Sequence, residues 1–352
     1  MQTGSETILK ETPGMAQKTV FVTGATGFVG GHLVRALVER GDRVRALRKG
    51  TSDTRLVDDL PVEWVEGDLL RPSSYQEKLQ GCDTVFHCAA DYRLFCKDPS
   101  PMYEINVTGS KALLSSCLEL EIPKVVYTSS VAALDLPAAG RVSDESSRAE
   151  VDRVVGHYKK SKFLAQEAVL ELAESGLPVV LVNPSTPVGP GDLKPTATGK
   201  IIVDFLCRKM PAYLDTGLNL VPVEDVAYGH LLAEEKGRNG ELYILGHLNL
   251  TLKEILEMLA AVTGLPAPRV KIPYRVAWAV GVLDTLVEGY ALNRTPQVPI
   301  EGVKMARKKM FFDPQRARDE LGFRPGSVRE ALRRAVDWFV ENGYAPDPVA
   351  RR

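Results

Sequence analysis

Tyr158 and Lys162 are the residues whose types and spacing most directly suggest chemistry. They stand four positions apart, so in a helix they lie on one face, one turn from each other. A free tyrosine has a pKa of about 10, so acting as a base near pH 7 requires the pKa to fall by about three pH units, or about 4 kcal/mol. Because a nearby positive charge favours the phenolate, the ammonium group of Lys162 would lower that pKa. The pair therefore predicts proton transfer by a tyrosine.

A glycine-rich turn near the start of the chain predicts the partner of this chemistry. Gly24, Gly27 and Gly30 separate an apolar run at 20–23 from an amphipathic run at 32–38. Gly24 permits unusual backbone angles, Gly27 lets the backbone approach a pyrophosphate, and Gly30 lets a helix pack closely on a strand. Phosphates can bind the free N–H groups where the helix begins. The spacing is one residue longer than the usual dinucleotide fingerprint, and a plain structural turn is the alternative. The strand and helix on either side favour a dinucleotide, whose cationic nicotinamide ring would also favour the phenolate.

The elements that must position these residues alternate between strand and helix patterns. Alternation of this kind predicts a doubly wound parallel sheet of the α/β class, covered on both faces, with the ligand at the carboxyl ends of the strands. One of these strands ends in Thr128, Ser129 and Ser130, which places hydroxyl groups at the same edge. The strands are predicted at 20–23, 43–47, 62–66, 84–90 and 125–127, and a long helix is predicted at 106–120.

The end of the second predicted strand bears on the choice of cofactor. NAD is usually bound through an acidic residue here, whereas an arginine accommodates the additional phosphate of NADP. This sequence has Arg45, Arg48 and Lys49 and no carboxylate. Solvated surface charges are the alternative interpretation. We therefore expect NADP in preference to NAD. Farther along, Asp68 could accept a hydrogen bond from the adenine amine, and small residues at 88–90 would let the backbone pass beside the cofactor.

Composition and charge exclude several classes of protein. The chain has 352 residues, of which 44% are hydrophobic and 25% charged, so it is a globular protein with a sizeable core. A net charge of −1 and the lack of a basic block argue against a nucleic-acid partner. The cysteines are odd in number and form no Cys-x-x-Cys pair, and the histidines are scattered, so we expect reduced thiols, no metal and a cytoplasmic location. The cysteines are Cys82, Cys88, Cys96, Cys117 and Cys207.

The ends of the chain and its most apolar run carry further expectations. The first residues lack the pattern of a signal peptide and are predicted to be a disordered tail, within which Met15 could be the natural start. The apolar run at 276–283 stops at Asp284 and is too short to span a bilayer. No integral membrane segment is therefore expected.

Taken together, the glycine turn, Ser130, Tyr158 and Lys162 resemble the short-chain dehydrogenase/reductase superfamily, in its extended branch of epimerases, dehydratases and reductases. The resemblance covers residues 18–345. It implies that Tyr158 is the general acid/base, that Lys162 lowers its pKa and holds the nicotinamide ribose, and that Ser130 orients the substrate oxygen. The implied cofactor contacts are Gly24, Thr26, Gly27, Phe28, Val29, Gly30, Arg48, Asp68, Leu69, Ala89, Ala90, Asn106, Thr128, Ser129, Tyr158, Lys162, Asn183, Pro184 and Ser185.

Within the branch, the segments 183–192 and 210–215 are most similar to hopanoid-associated sugar epimerases, which themselves resemble dihydroflavonol 4-reductases. Dehydration is disfavoured because the apolar residues 131–133 stand where a dehydratase needs an acid pair. Two reactions stay open. One is epimerisation of a nucleoside-diphosphate sugar. Thr186 argues against this reaction, because galactose epimerases carry a substrate-binding asparagine at that position. The other is NADPH-dependent reduction of a ketone or aldehyde, which Arg48 favours. A non-catalytic NADP-binding sensor is a weaker alternative, since such proteins typically lose the tyrosine or the lysine.

The resemblance also implies a division of the chain. A nucleotide-binding domain is expected at 18–185 plus 219–246, and a smaller substrate-binding lobe at 186–218 plus 247–345, with tails at 1–17 and 346–352. The substrate is expected to be a sugar nucleotide, a lipid-linked sugar or a hydrophobic ketone.

Two helical stretches raise questions of packing and association. A homodimer could form across the helices at 103–120 and 157–175, as in relatives. The apolar stripe at 273–292 has helical spacing and is interpreted either as core or dimer seam, or as a wall for an apolar substrate. Glu224 and Asp225 are interpreted as carboxylates at a helix start and not as a catalytic pair.

Overall fold

The computed structural model of the chain describes residues 17–136, 142–147, 151 and 154–348. Two expected tails lie mostly outside these ranges. They are the N-terminal tail at 1–17, which contains Met15, and the end of the C-terminal tail at 346–352. Within them, no helix is long and apolar enough to cross a membrane. The strands are β1 (Thr19–Thr23), β2 (Arg43–Arg48), β3 (Val62–Glu66), β4 (Thr84–His87), β5 (Lys124–Thr128), β6 (Val179–Pro184), β7 (Thr186–Val188), β8 (Ala212–Tyr213), β9 (Gly217–Pro222), β10 (Leu242–Leu245), β11 (Leu248–Thr251) and β12 (Val270–Lys271).

The α-helices cover both faces of the main sheet and build a second lobe. They are α1 (Phe28–Glu39), α2 (Gln76–Leu79), α3 (Ser100–Tyr103), α4 (Ser110–Glu119), α5 (His157–Glu174), α6 (Ala197–Leu206), α7 (Val223–Lys236), α8 (Leu252–Thr263), α9 (Tyr274–Asp284), α10 (Ile300–Met305) and α11 (Val328–Glu341). Short 3-10 turns lie at Pro72–Ser74 and Val131–Ala133, and π-helical turns at Glu104–Gly109, Thr285–Ala291 and Ala317–Leu321.

A seven-stranded parallel sheet in the order β3-β2-β1-β4-β5-β6-β10 dominates the fold. The predicted doubly wound α/β class is confirmed. The strand order changes direction between β1 and β4, which are adjacent in the sheet. At such a switch point the carboxyl ends of the strands leave a crevice for a ligand.

Alternate residues of the strands enter two separate apolar layers, because successive side chains point to opposite faces of a sheet. In β1, Val20 and Val22 pack with α1 and α7, whereas Phe21 packs with α4 and α5. All three side chains are fully buried. Since both faces are covered, central strands such as β1 and β6 read as nearly continuous apolar runs, whereas β2 and β3 near the sheet edge alternate charged and apolar residues.

The second lobe has its own core around the sheet β11-β9-β7. Helices α6, α8 and α11 pack together there, with Phe205, Leu259 and Phe339 deeply buried. The segment 219–246 divides between the two parts. Strand β9 pairs in the small sheet, whereas β10 pairs with β6 at the edge of the large one.

The helix expected to open at Asn106 begins earlier in the structure. It starts with α3, continues through the π-helical turn at Glu104–Gly109 and ends with α4. The Ser100 N–H donates to Asp98 Oδ1 over 2.9 Å, and a proline occupies the first turn, so the start signals lie at 98–101.

The apolar stripe expected at 273–292 is a helix whose large side chains face outward. Trp278, Leu283 and Leu286 are 46%, 64% and 55% exposed. The interpretation as core is therefore wrong for the large side chains of this stripe. The buried positions of the helix are occupied by small residues.

Candidate active site

The glycine turn joins β1 to α1 at the carboxyl edge of the large sheet. Gly24 has φ +72°, and a Cβ there would lie 2.6 Å from the Ala89 nitrogen, so only glycine fits. A Cβ on Gly30 would overlap the Gly24 carbonyl oxygen, because the helix crosses directly over the turn. Both positions require glycine, for the conformational and packing reasons that the sequence suggested.

The start of α1 is open to an anion. Gly27 is its N-cap residue, no side chain caps it, and no acidic residue occupies its first turn. The backbone N–H groups that follow Gly27 therefore have no intrahelical acceptor, and the helix dipole favours a negative charge there. Thr26, Phe28 and Val29 flank this point. The turn therefore fits the pyrophosphate of a dinucleotide.

The loop after β4 is fixed beside the turn by two side chains. The Thr23 hydroxyl accepts a hydrogen bond from the Ala89 N–H over 3.2 Å. Asn106 accepts from the Asp91 N–H over 2.7 Å and donates to the Asp91 carbonyl over 2.8 Å. Its amide also donates to Ser161 over 2.9 Å. Asn106, predicted as a cofactor contact, therefore positions the loop that carries Ala89 and Ala90.

Ser130 and Tyr158 meet at the centre of the edge. Ser130 follows β5 in an extended conformation and accepts from the Ala132 N–H over 3.1 Å. Tyr158 is the second residue of α5, and its hydroxyl lies near enough to the Ser130 side chain for Ser130 to lower its pKa. The structure thus brings together two residues that lie 28 positions apart.

Lys162 lies one turn farther along α5 and is 3% exposed. Its ammonium donates to the Thr128 carbonyl over 2.9 Å and to the Tyr127 hydroxyl over 3.4 Å. Burial lowers its pKa to about 8. A negatively charged partner would raise this pKa, and among the described residues the Cys88 thiol contributes in that direction. The lysine is thus held by strand β5.

In the protein alone, Tyr158 does not have a lowered pKa, and the lowering expected beside a bound nicotinamide stays a prediction. Burial raises the pKa of its hydroxyl, and the nearby Ser130 side chain opposes this only in part. The ammonium of Lys162 is directed towards strand β5 and does not offset the burial. In the protein alone, Tyr158 is therefore a protonated phenol near neutral pH.

The neighbouring hydroxyls are engaged elsewhere. Ser129 is 4% exposed and donates to Gln166 over 2.7 Å. Thr128 donates to the Cys88 sulfur over 3.1 Å and lies 2.9 Å from His230 Nε2. Of the three consecutive hydroxyl residues, Ser130 is therefore the one that faces Tyr158.

The segment after β6 supports the same edge from behind. The Asn183 amide donates to the Ser130 carbonyl and to Gln166 Oε1, each over 2.9 Å. Its carbonyl oxygen is buried without a partner. Pro184 ends β6, and the Ser185 N–H donates to the Leu245 carbonyl over 3.1 Å. Asn183 thus ties Ser130 to α5 through Gln166.

Arg48 ends β2 at the edge expected to hold the adenosine. Its guanidinium lies 3.1 Å from Glu66 and 5.0 Å from the centre of the Trp64 ring. Its Nε is buried without a hydrogen-bond partner. Arg45 instead donates to the carbonyls of Lys78 and Gln80 at the edge helix, so it is not available for a phosphate. Arg48 has an unused donor, which fits an additional anion.

Asp68 and Leu69 follow β3 beside Arg48. The Asp68 carboxylate accepts from the Leu70 N–H and lies 3.5 Å from Lys49, and these contacts lower its pKa. Leu69 is buried against Gly109, and its carbonyl accepts from the Tyr75 hydroxyl over 3.2 Å. The ionised Asp68 can accept a hydrogen bond from an amine.

Asp192 is a candidate that the sequence analysis did not select. It is 2% exposed, and one oxygen accepts from the N–H and hydroxyl of Thr196, each over 2.8 Å. The other oxygen is buried without a partner, and burial raises the pKa to about 6. Asp192 and Tyr158 both raise the pKa of Tyr92, so the three groups lie near one another. The adjacent Gly-Pro-Gly turn at 189–191 was the available signal.

Other polar residues have structural contacts. The Asp225 carboxylate accepts from the Gly326 N–H over 2.7 Å, and Glu224 lies 3.3 Å from Arg334. Both are therefore packing contacts at the start of α7. No group of three or more metal-binding side chains occurs among the described residues.

The chain is similar to a known protein family, to named relatives and to a solved structure. A model of the NAD dependent epimerase/dehydratase family matches residues 20–246. A protein of Synechocystis sp. with the provisional name dihydroflavonol 4-reductase is 45% identical over 328 residues, which are 92% of this chain and 95% of the relative. Sterol demethylase protein B of Methylococcus capsulatus is 35% identical over 326 residues, 92% of this chain and 99% of the relative. The crystal structure of gox2253 matches with a TM-score of 0.83 at 42% identity, covering 94% of this chain and all of that one.

Proposed function

The chain belongs to the NAD dependent epimerase/dehydratase family, and within that family we propose that it is an NADPH-dependent reductase of an apolar ketone. Membership makes it an NAD(P)-dependent oxidoreductase. The substrate, the direction of the reaction and the choice of NADPH over NADH are the parts that we propose.

The approach of the Ser130 side chain to the Tyr158 hydroxyl is the observation that carries the proposal. A ketone oxygen placed beside these two hydroxyls can accept a hydrogen bond from each. The proton of Tyr158 would pass to this oxygen as a bound nicotinamide supplies hydride to the carbonyl carbon. Burial keeps the Tyr158 hydroxyl protonated, as a proton donor must be before the transfer, whereas the transfer itself requires that its pKa be lowered towards the working pH by the bound reactants.

The remaining residues of the edge would hold the reactants. We propose that Lys162 binds the nicotinamide ribose and that Gly24, Thr26, Gly27, Phe28, Val29 and Gly30 surround the pyrophosphate. Ala89 and Ala90 would border the cofactor on one side, Asp68 and Leu69 the adenine, and Asn183, Pro184 and Ser185 the nicotinamide. Arg48 would turn from Glu66 to the 2′-phosphate of NADP, for which its buried Nε is a donor without a partner.

One observation disfavours dehydration, and a second bears on the substrate. The buried apolar residues Val131, Ala132 and Ala133 follow Ser130, so an acid pair for dehydration is absent from this described segment. The relatives described above include one named for a dihydroflavonol reductase and one named for a sterol. Both names refer to compounds with fused carbon-rich rings, and they support a ring ketone as substrate.

Epimerisation of a sugar nucleotide is the second candidate. It is favoured by the description of the family and by the resemblance of 183–192 and 210–215 to hopanoid-associated sugar epimerases. A buried carboxylate with one unused oxygen, as in Asp192, could bind a sugar hydroxyl. The two candidates differ in whether the cofactor turns over.

The domain division, the homodimer across 103–120 and 157–175 and the cytoplasmic location stay predictions. In the proposed division, residues 18–185 and 219–246 bind the cofactor, and residues 186–218 and 247–345 bind the substrate.

The test is to follow nicotinamide absorbance when purified protein receives NADPH or NADH with a dihydroflavonol, a 3-ketosteroid or a uridine-diphosphate sugar. We expect steady oxidation of NADPH with a ring ketone, and none with the Tyr158→Phe variant. A sugar that changes configuration while the cofactor spectrum stays constant would instead establish the epimerase. A protein that binds NADPH and changes neither class of substrate would support the non-catalytic sensor.

A further inference from the structure

α9 and the π-helical turn at Thr285–Ala291 form one helix. Its small side chains face the protein, and its large apolar side chains face outward. Ala277, Gly281, Thr285 and Gly289 are its buried positions, each four residues from the next. The outer face carries large apolar side chains that are 42–64% exposed. These side chains, here called the outer face, are Val276, Trp278, Val280, Leu283, Leu286, Val287, Tyr290 and Leu292.

The small residues allow the helix to lie very close to the rest of the protein. A Cβ on Gly281 would lie 2.9 Å from a methyl group of Val303 on α10, and one on Gly289 would lie 2.6 Å from the Phe95 ring. The helix therefore cannot rotate to bury its large side chains without losing this contact. Its outer face is apolar while the inner face is already packed, so another apolar medium or surface has to cover it.

The helix is joined to the loop beside the candidate active site. Phe95 stacks edge to face on Tyr290, with ring centres 5.8 Å apart. Phe95 follows Tyr92, which lies near Tyr158. On the other side, Glu301 of α10 lies 3.1 Å from the Cβ position of Gly156, next to the start of α5. The outer face thus lies in the part of the lobe that adjoins the mouth of the site.

The charge around the outer face has one predominant sign. Residues 269–309 contain eight Lys or Arg and three Asp or Glu, in a chain whose net charge is −1. Lys271 and Lys309 pair with Asp215, and Arg294 pairs with Glu288, so the excess of positive charge rests on the remaining basic residues. Arg275 and Arg307 are exposed and form no ion pair with any described residue. Basic residues beside exposed apolar and aromatic side chains are typical of helices that lie in the surface of an anionic membrane.

We propose that the outer face is a membrane-docking surface that rests on an anionic lipid bilayer. The apolar side chains enter the boundary between headgroups and acyl chains, and the basic residues contact lipid phosphates. A second copy of the chain fits less well, because a two-fold interface would bring two sets of the same basic residues together. The proposal does not depend on the proposed function.

The first test is flotation of the full chain with vesicles of phosphatidylcholine alone or with about 30% phosphatidylglycerol. We expect binding to the anionic vesicles and much weaker binding to the neutral ones. The double variant Leu283→Ser and Leu286→Ser should bind the anionic vesicles about 100-fold more weakly. The double variant Arg275→Gln and Arg307→Gln should lose about 10-fold, and high salt should reproduce this loss.

Tyr228→Ser is the matched control, because Tyr228 is 56% exposed on α7, far along the chain from the outer face. It should bind vesicles like the original protein. All variants should bind NADPH unchanged, which separates loss of docking from loss of folding and from failure of the proposed reaction. Equal flotation of the Leu283→Ser and Leu286→Ser variant and the original would overturn the proposal. So would a dimer in solution that this variant converts to monomers.

Discussion

The carboxyl edge of the large sheet and the outer face of α9 depart from the usual distribution of side chains in opposite directions. At the edge, the charged Lys162 is 3% exposed, whereas on α9 the apolar Leu283 is 64% exposed. A buried charge and an exposed apolar side chain each cost free energy in the isolated protein. In our proposals each cost is recovered by a partner, which is a cofactor and substrate at the edge and a lipid surface at α9.

The two regions differ in how their side chains are held. At the edge, Ser130, Ser129 and Lys162 have hydrogen-bond partners on fixed strands or helices. On α9, the exposed apolar groups project into solvent, and only the small residues beneath them are packed. The edge is therefore preorganised and should tolerate little change, whereas the outer face should tolerate substitution as long as the protein is in solution.

The largest effect is expected when the hydroxyl at the centre of the edge is removed. Tyr158→Phe should lower kcat by about 1000-fold, because the substrate oxygen loses its proton donor. The thermal midpoint should change little. Steady-state kinetics and calorimetry measure the two quantities. Tyr228→Phe makes the same chemical change on an exposed tyrosine and should leave both unchanged; comparable activity of the two variants would remove Tyr158 from the mechanism.

The second-largest effect is expected on stability, when a methyl group is added at the glycine turn. Gly30→Ala places its Cβ against the Gly24 carbonyl, so we expect a loss of about 3 kcal/mol or more in free energy of unfolding. Gly302→Ala on α10 is the control, since its Cβ would meet its nearest neighbour at 3.7 Å. It should be neutral or slightly stabilising. Denaturant unfolding compares them, and similar losses would contradict the tight packing of α1 on the turn.

The choice of cofactor should respond to Arg48 and not to Arg45. Arg48→Gln should reduce kcat/KM for NADPH by about 10- to 100-fold, the value of a charge-assisted hydrogen bond, and change NADH little. Arg45→Gln should affect neither, because Arg45 donates to backbone carbonyls at the sheet edge. A preference for NADH in the original protein would show that Arg48 does not bind a phosphate.

The buried charge of Lys162 should make stability depend on alkaline pH. Its pKa is about 8 in the folded protein and about 10.4 in an unfolded chain, so the unfolded state binds more protons between these values. Stability from this group therefore rises with pH through that window. The thermal midpoint of the original minus that of Lys162→Met should increase by a few degrees on going from about pH 7.5 to about pH 9.5.

Lys159 is also buried, and its pKa is also about 8, but it is present in both proteins. The comparison with Lys162→Met therefore isolates Lys162. A difference in thermal midpoint that is constant across this pH range would show that Lys162 is solvated.

The smallest effect is expected on the outer face of α9. Leu283→Ser should change the free energy of unfolding by less than about 0.5 kcal/mol, because the side chain is already in water. Leu259→Ala on α8 removes a fully buried side chain and should cost about 2–5 kcal/mol. A large loss for Leu283→Ser would mean that another part of the protein covers this face.

Much of the fold and of the edge could be predicted because the signals are local. Glycines at every third position between an apolar run and a helical pattern define the turn, whatever the rest of the chain does. The spacing of Tyr158 and Lys162 places both on one face of α5 in any helix. The alternation of apolar runs with helical patterns indicates the parallel sheet.

Assignments between distant segments required the structure. The family resemblance had already implied Ser130, and the structure supplies the physical reason, since the hydroxyl of Ser129 donates to Gln166 on α5. Asn106 holds a loop because Asp91 and Ser161 come within hydrogen-bond distance of it. The spacing of residues along the chain predicts neither contact.

The sequence by itself determined that residues 273–292 form a helix with an apolar stripe, since that follows from the period of the pattern. Only the tertiary structure decided which side faces the protein. Large apolar residues and the small ones at 277, 281, 285 and 289 both recur at helical spacing, so either side could have been the inner one. The small side faces inward because Phe95 and Val303 approach so closely that no Cβ fits at Gly289 or Gly281, and this distance is a property of the packed lobe.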